Sequence, residues 1–273
     1  MTPAGAAAWD HWHIHSSVAI GLAVFGGLYL FLGGARTTVR RQCAFWAAVL
    51  VLFFSLNGPL HDLSDTYLFS AHMVQHLVLT LVFPPLLLYG TPDWVVRPLV
   101  SPRWVMAFAR WATRPIQAAT IFLVPISLWH FPGAYQLAMR DHNVHIVQHL
   151  VFIATAVVMW WPILSPLPEL PRASYPGQML YLFLLGIPMS VVGAMITLAD
   201  TPLYPFYASA PERVWGLTLL ADQEYGGLIM WIAGGFVFWI AATVVWFRWS
   251  SREDTGDVER TVPPDAYAAE RPR

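Results

Sequence analysis

The sequence has no lysine, a single cysteine and few charges, since charged residues make up 11% of its 273 residues. One cysteine, Cys43, can form neither a disulfide nor a thiolate metal cage within one chain. A formal net charge of −1 gives no basic footprint, so no nucleic-acid partner is expected. With 57% hydrophobic residues, the composition is typical of a protein embedded in a membrane.

Long apolar runs fill most of the chain. Their length is close to the roughly 20 residues that cross a bilayer as a helix. Because no open sheet edge can face lipid, the fold class is predicted to be all-α, a polytopic membrane helical bundle with about seven transmembrane helices. The candidate spans are 16–34, 43–60, 67–89, 116–131, 143–164, 178–199 and 225–247.

The distribution of arginine predicts the topology. All fifteen basic residues are arginine, and most follow the first, third, fifth or seventh span. The positive-inside rule then places the N-terminus outside and the C-terminus in the cytoplasm, as a multi-pass protein of a bacterial cytoplasmic membrane. Residues 1–15 are predicted to be an extracytoplasmic arm, residues 16–248 the seven-helix domain, and residues 249–273 a disordered cytoplasmic tail.

One short motif occurs twice. The chain reads HMVQHLV from residue 72 and HIVQHLV from residue 145. Residues three, four and seven apart share a helix face, so each copy presents its polar side chains on one side. Both helices are predicted to run inward from the outer surface, which brings the two faces to equal depth as halves of one site. The residues on these faces are His72, Gln75, His76, His142, His145, Gln148 and His149.

All ten histidines are predicted to lie on the outer side, and imidazole suits copper, zinc, iron and nickel. His61, His130 and Met230 are further candidate metal ligands. Carboxylates on the same rim could orient ring N–H groups. We expect Asp62 and Asp222 in that role, with Gln75 and Gln148. The whole set of rim carboxylates is Asp62, Asp65, Asp141, Asp200, Asp222 and Glu224.

The inner halves of the spans contain almost no ionisable residue, whereas a transporter needs polar groups through the full membrane thickness. Holding or handing over a metal is therefore favoured over transport, and no catalytic residue is predicted. Other readings stay open. Paired histidines could bind haem b as axial ligands, the spacing superficially resembles di-metal membrane oxidases and hydroxylases, and His with Gln can join helices without any ligand. The segment with His11, His13 and His15 could be an interfacial arm.

Three blocks resemble the multi-span CtaG-like family of cytochrome c oxidase assembly factors. They are PLHDLSDTYLFSAHMVQHLVLTLVFPPLLLYGTP, WHFPGAYQLAMRDHNVHIVQHLVF and ADQEYGGLIMW, in the family's order, and the similarity extends from about residue 45 to 247. The resemblance implies a factor of roughly seven helices that faces outward and serves maturation of a haem–copper oxidase.

The resemblance also implies a role in handling copper, for which we expect Cu(I). The implied partners are an oxidase subunit or another copper chaperone, together with membrane lipid. The positions that match the family blocks are His61, Asp62, His72, His76, His130, His142, His145, His149, Asp222 and Met230.

Overall fold

The computed structural model describes residues 12–261, with side chains as far as Arg252, and this part of the chain contains helices and no strand. His11 and the rest of 1–11, like residues 262–273, lie outside the described residues. The main helices are α1 (Ser16–Phe31), α2 (Val39–Leu56), α3 (Phe69–Gly90), α4 (Asp93–Val100), α5 (Arg103–Ala112), α6 (Pro115–Trp129), α7 (Pro132–Arg140), α8 (His142–Leu164), α9 (Tyr175–Thr197) and α10 (219–261).

The predicted all-α membrane bundle is confirmed. By length and composition five described helices can cross a membrane: α2, α3, α8, α9 and α10. Helices α6 and α7 would make a sixth span if counted together, although they meet at a bend of 77°. Helix α1 has 16 residues, about 24 Å, and is short for a span. Seven spans and the orientation of the termini stay predictions.

Helix α3 is central to the bundle because it contacts α2, α8 and α10. The apolar core is built mainly from α3, α6, α8, α9 and α10.

Two crossings depend on glycine. A side chain at Gly90 in α3 would collide with the backbone of Phe45 in α2, and one at Gly193 in α9 would lie 2.8 Å from the backbone nitrogen of Trp231 in α10. These helices can approach closely only because the glycines lack a side chain.

Three π-helical segments interrupt the regular helices. Leu63–Tyr67 precedes α3, Val78–Val82 lies within α3, and Ile229–Ala233 lies within α10. Single π turns are rare in proteins, and those that occur often lie at functional sites. Here two of them flank the turn of α3 that carries the first copy of the repeated motif.

Helix α10 continues to Thr261, past residue 249, where the sequence predicts a disordered tail to begin. The physical reason is that extending an existing helix adds one hydrogen bond for each residue that it fixes. No proline occurs between Leu219, where α10 begins, and Pro263. Disorder of residues 262–273 stays a prediction.

Candidate metal centre

Four buried histidines converge at one end of the bundle. His72 and His76 come from α3, and His145 and His149 come from α8. One ring nitrogen from each lies within 4.8 Å of those of the other three. The two copies of the repeated motif therefore meet, as their spacing and common direction predict. We call these four residues the four-histidine cluster.

The cluster is poorly supplied with hydrogen bonds. Both ring nitrogens of His72 and both of His76 are buried without a hydrogen-bond partner. The Ser64 carbonyl, which accepts a hydrogen bond from Tyr207 at 2.9 Å, also lies near the His72 ring without forming a hydrogen bond to it. Within the cluster, His145 Nε2 lies 3.1 Å from His149 Nε2. Buried polar groups are normally paired, so these unpaired nitrogens make the cluster a candidate for binding a ligand.

A carboxylate lies beside the four-histidine cluster. Asp65 Oδ2 is 3.5 Å from His145 Nδ1 and 3.5 Å from His61 Nε2. A proton held on His145 Nδ1 by this carboxylate leaves its Nε2 as the lone-pair atom that points toward His149. Burial raises the pKa of Asp65, and the nearby histidines oppose that rise.

His61 links the cluster to the outer rim without joining it. Its Nδ1 lies 3.2 Å from Gln75 Nε2, and its ring packs edge-on against His15 with centroids 4.8 Å apart. Burial, with the neighbouring charge of His15, lowers the pKa of His61 to about 4. The ring is therefore neutral near pH 7, with Nδ1 accepting from Gln75 and Nε2 facing Asp65. Gln75 also donates to the Ser55 carbonyl at 2.6 Å and accepts from Ser64 at 3.0 Å.

The other predicted site residues lie around the cluster. His130 is buried with its ring centroid 6.0 Å from that of His76, and its Nε2 has no partner. Gln148 is buried with an amide that makes no hydrogen bond. His142 is exposed at the first turn of α8 and is not part of the four-histidine cluster. Met230 is buried in the apolar core, in the π segment of α10.

The two carboxylates expected to orient the rings have other contacts. Asp62 lies 3.0 Å from Nδ1 of the exposed His13. Asp222 lies at the buried start of α3, where its carboxylate accepts from the backbone N–H groups of Phe69 at 2.7 Å and Ser70 at 3.1 Å. Asp222 thus caps the helix that carries His72 and His76, and it acts on the site by fixing that helix.

Replacing Asp222 with asparagine should lower the melting temperature. The substitution removes a buried negative charge from a helix N-terminus and half of its accepting capacity, which costs about 2 kcal/mol or more. For a chain of this size that corresponds to roughly 4–8 °C. Thermal unfolding in detergent measures it, with the exposed Asp200→Asn as the matched control. Equal melting temperatures for the two variants would contradict the capping role.

The fold and the cluster together define a class of protein: a helical membrane protein with a buried, histidine-only candidate metal centre near one end of its bundle. Residues 23–252 match the model of the cytochrome c oxidase caa3 assembly factor family, and the chain belongs to that family.

Relatives in mycobacteria share part of their length with this chain. Uncharacterized proteins of Mycobacterium bovis and Mycobacterium tuberculosis are each 27% identical over 230 residues, which cover 78% of this chain and 34% of theirs. One of Mycobacterium leprae is 22% identical over 255 residues, covering 87% of this chain and 38% of its own. The chain spans about a third of the length of these relatives. No solved structure matches it.

Proposed function

We propose that this chain helps to assemble a haem–copper cytochrome c oxidase by holding Cu(I) at the four-histidine cluster. It would then either deliver the ion or protect the copper site of the oxidase while that site is incomplete. The observation that carries the proposal is the set of unpaired nitrogens on His72 and His76, close to the ring nitrogens of His145 and His149. Copper is cargo in this role, and no residue is assigned a catalytic step.

The spacing of the four side chains suits one ion. Imidazole nitrogens bind metals at about 2.0–2.1 Å, which places tetrahedral ligands about 3.3 Å apart. The nitrogens of the cluster lie within 4.8 Å of one another, so small rotations of the rings would close the shell. His145 and His149, at 3.1 Å, already have the required separation.

The surrounding charge favours a monovalent ion. Four neutral imidazoles contribute no charge, and Asp65 is the carboxylate that contacts the cluster. Cu(I) beside one ionised carboxylate is neutral overall, whereas a divalent ion would leave a buried net charge. The cost of burying an ion rises steeply with its charge, so Cu(I) is the better fit among metals that imidazole binds.

A line of polar side chains joins the cluster to the rim and offers a route for the ion. From the outside these are His13 with Asp62, then His15 with His61, then Asp65, which contacts His145. In this route the ion would displace Gln75 from Nδ1 of His61, and Gln75 would restore that hydrogen bond once the ion moves on. Orientation of this end toward the outside of the cell is part of the proposal.

Haem b is the alternative ligand. Bis-histidine ligation needs two facing rings with a flat macrocycle between them. In the cluster, His72 and His76 have ring centroids only 4.1 Å apart, and His72 lies 5.3 Å from His145, so the four rings occupy the space that a porphyrin would need. A di-metal oxidase or hydroxylase is also less well supported, because among the described residues Asp65 is the one carboxylate that pairs with a cluster histidine.

Protein purified in detergent and loaded with cuprous ion under anaerobic conditions should retain about one copper per chain. Its absorption spectrum should show no Soret band, since no haem is bound. Elemental analysis and the spectrum are read on the same sample. Metal-free protein after loading would overturn copper holding, and a Soret band of matching stoichiometry would establish the haem alternative instead.

A further inference from the structure

The end of the bundle opposite the histidines carries a second polar site. Helix α8 begins at the cluster and ends at Leu164, about 34 Å away. Beyond it, the connection to α9 and the part of α10 from Val244 to Arg252 line a groove of about 1060 Å³. Arg172, Arg248 and Arg252 line this groove. The arginine distribution predicts that this end is cytoplasmic.

The acidic side chains that the structure describes do not neutralise the three guanidinium groups. Among the described side chains, no carboxylate forms an ion pair with any of them. Glu169, the acidic residue of the same connection, pairs with Arg97 at 3.0 Å. Partial burial, together with the charge of Arg248, lowers the pKa of Arg172. Three positive charges that line one groove favour an anionic occupant.

An apolar groove continues from the arginines along the membrane-spanning part of the bundle. It lies between α9 and α10, has a volume of about 710 Å³ and shares Phe247 with the arginine groove. Its walls include Phe183, Ile187, Trp239 and Phe247, which are exposed to the surroundings. Gly186 in this groove leaves space, since an added Cβ would meet only Phe238 at 4.0 Å.

We propose that these two connected grooves bind one anionic phospholipid, with its phosphate between Arg172, Arg248 and Arg252 and an acyl chain between α9 and α10. Basic pockets between transmembrane helices at the cytoplasmic side are suited to anionic headgroups. Contacts within the groove hold two of the arginines in position. Arg252 stacks over the ring of Tyr175 at 5.5 Å, which holds its guanidinium over the groove, and Arg172 is fixed by donating to the Ser165 carbonyl at 3.0 Å.

Native mass spectrometry of detergent-purified full-length protein tests this, with phosphatidylglycerol and phosphatidylcholine of identical acyl chains as probes. The wild type should retain phosphatidylglycerol on the order of a hundredfold more strongly, because each of the three arginines near an anionic headgroup contributes about fivefold. The Arg248→Gln/Arg252→Gln variant keeps Arg172 and should reduce that preference to about fivefold. The matched control is Arg103→Gln/Arg110→Gln, which removes the same charge from the exposed face of α5 and should retain the preference.

Further arms separate a lipid from other anions. Gly186→Leu keeps every arginine but fills the apolar groove, and it should weaken retention of both lipids. Inorganic phosphate at millimolar concentration should not displace phosphatidylglycerol. Loss of the preference in the α5 control, or full displacement by phosphate, would overturn the proposal. Folding of each variant is confirmed from its melting temperature, and the site is independent of copper holding at the other end.

Discussion

The His76→Ala/His149→Ala variant should lose stoichiometric Cu(I). It removes one ligand from each helix, so two imidazoles remain where the wild type offers four. Even substitutions outside a metal's ligand shell typically cost 10–100-fold in affinity, so losing two ligands should cost more than about 100-fold. Elemental analysis after anaerobic loading and desalting measures the loss.

Removing the ring of His76 breaks no hydrogen bond, whereas removing the ring of His149 breaks its contact with His145 Nε2 at 3.1 Å. Both substitutions also leave cavities in the buried interior, so the melting temperature of the variant is measured to confirm that it folds. The matched control is His142→Ala, which removes an exposed histidine from the same helix as His149. Copper retained in the double variant would show that the cluster does not hold it. Copper lost in both variants would assign it to a shallower site that includes His142.

The same pair of variants tests the biological role in cells. Where the chain is needed to assemble an oxidase, the double variant should give low oxidase activity, restored by added copper if the chain delivers the ion. The His142→Ala variant should support normal activity. If either variant folds correctly and retains copper but the oxidase still fails to assemble, the protein acts by holding a partner.

The meeting of the two histidine pairs could be predicted from the sequence because the helical period and the common direction of the two helices determine which side chains face each other. His142 shares that period with His145, yet it is exposed, because it lies at the first turn of α8, nearer the surface than the packed part of the helix. Sequence periodicity gives the face of a helix but not where its burial begins.

The carboxylate that contacts the cluster could not be selected by sequence. Six acidic residues were expected on one rim, and the structure brings Asp65 to His145 through the π-helical turn Leu63–Tyr67, which does not follow the usual helical period. Asp222 is a long-range case, since it caps a helix that begins 153 residues earlier in the chain.

The bend between α6 and α7 has a local cause. Phe131 precedes Pro132, and the backbone of a residue before proline is kept out of the helical conformation, so Phe131 is extended and the helix is interrupted there.

Replacing Asp65 with asparagine should weaken Cu(I) binding by about 10–100-fold and leave the stoichiometry at saturation unchanged. The carboxylate contributes in two ways. It holds a proton on His145 Nδ1, which directs Nε2 into the cluster, and it offsets the positive charge of the bound ion. Asparagine keeps the size of the side chain but supplies no charge, so both contributions weaken while the four imidazoles remain.

The matched control is Asp62→Asn, the same chemical change three residues earlier, at a carboxylate that contacts the exposed His13. Competition with a Cu(I) chelator measures both affinities, and Asp62→Asn should stay within about threefold of the wild type, because exposed ion pairs contribute little. Equal affinities for the two variants would remove Asp65 from the site. Asp65 contacts His145 directly in a partly buried position, where salt screens charges less than at the surface. The difference in Cu(I) affinity between Asp65→Asn and the wild type should therefore change little with salt concentration.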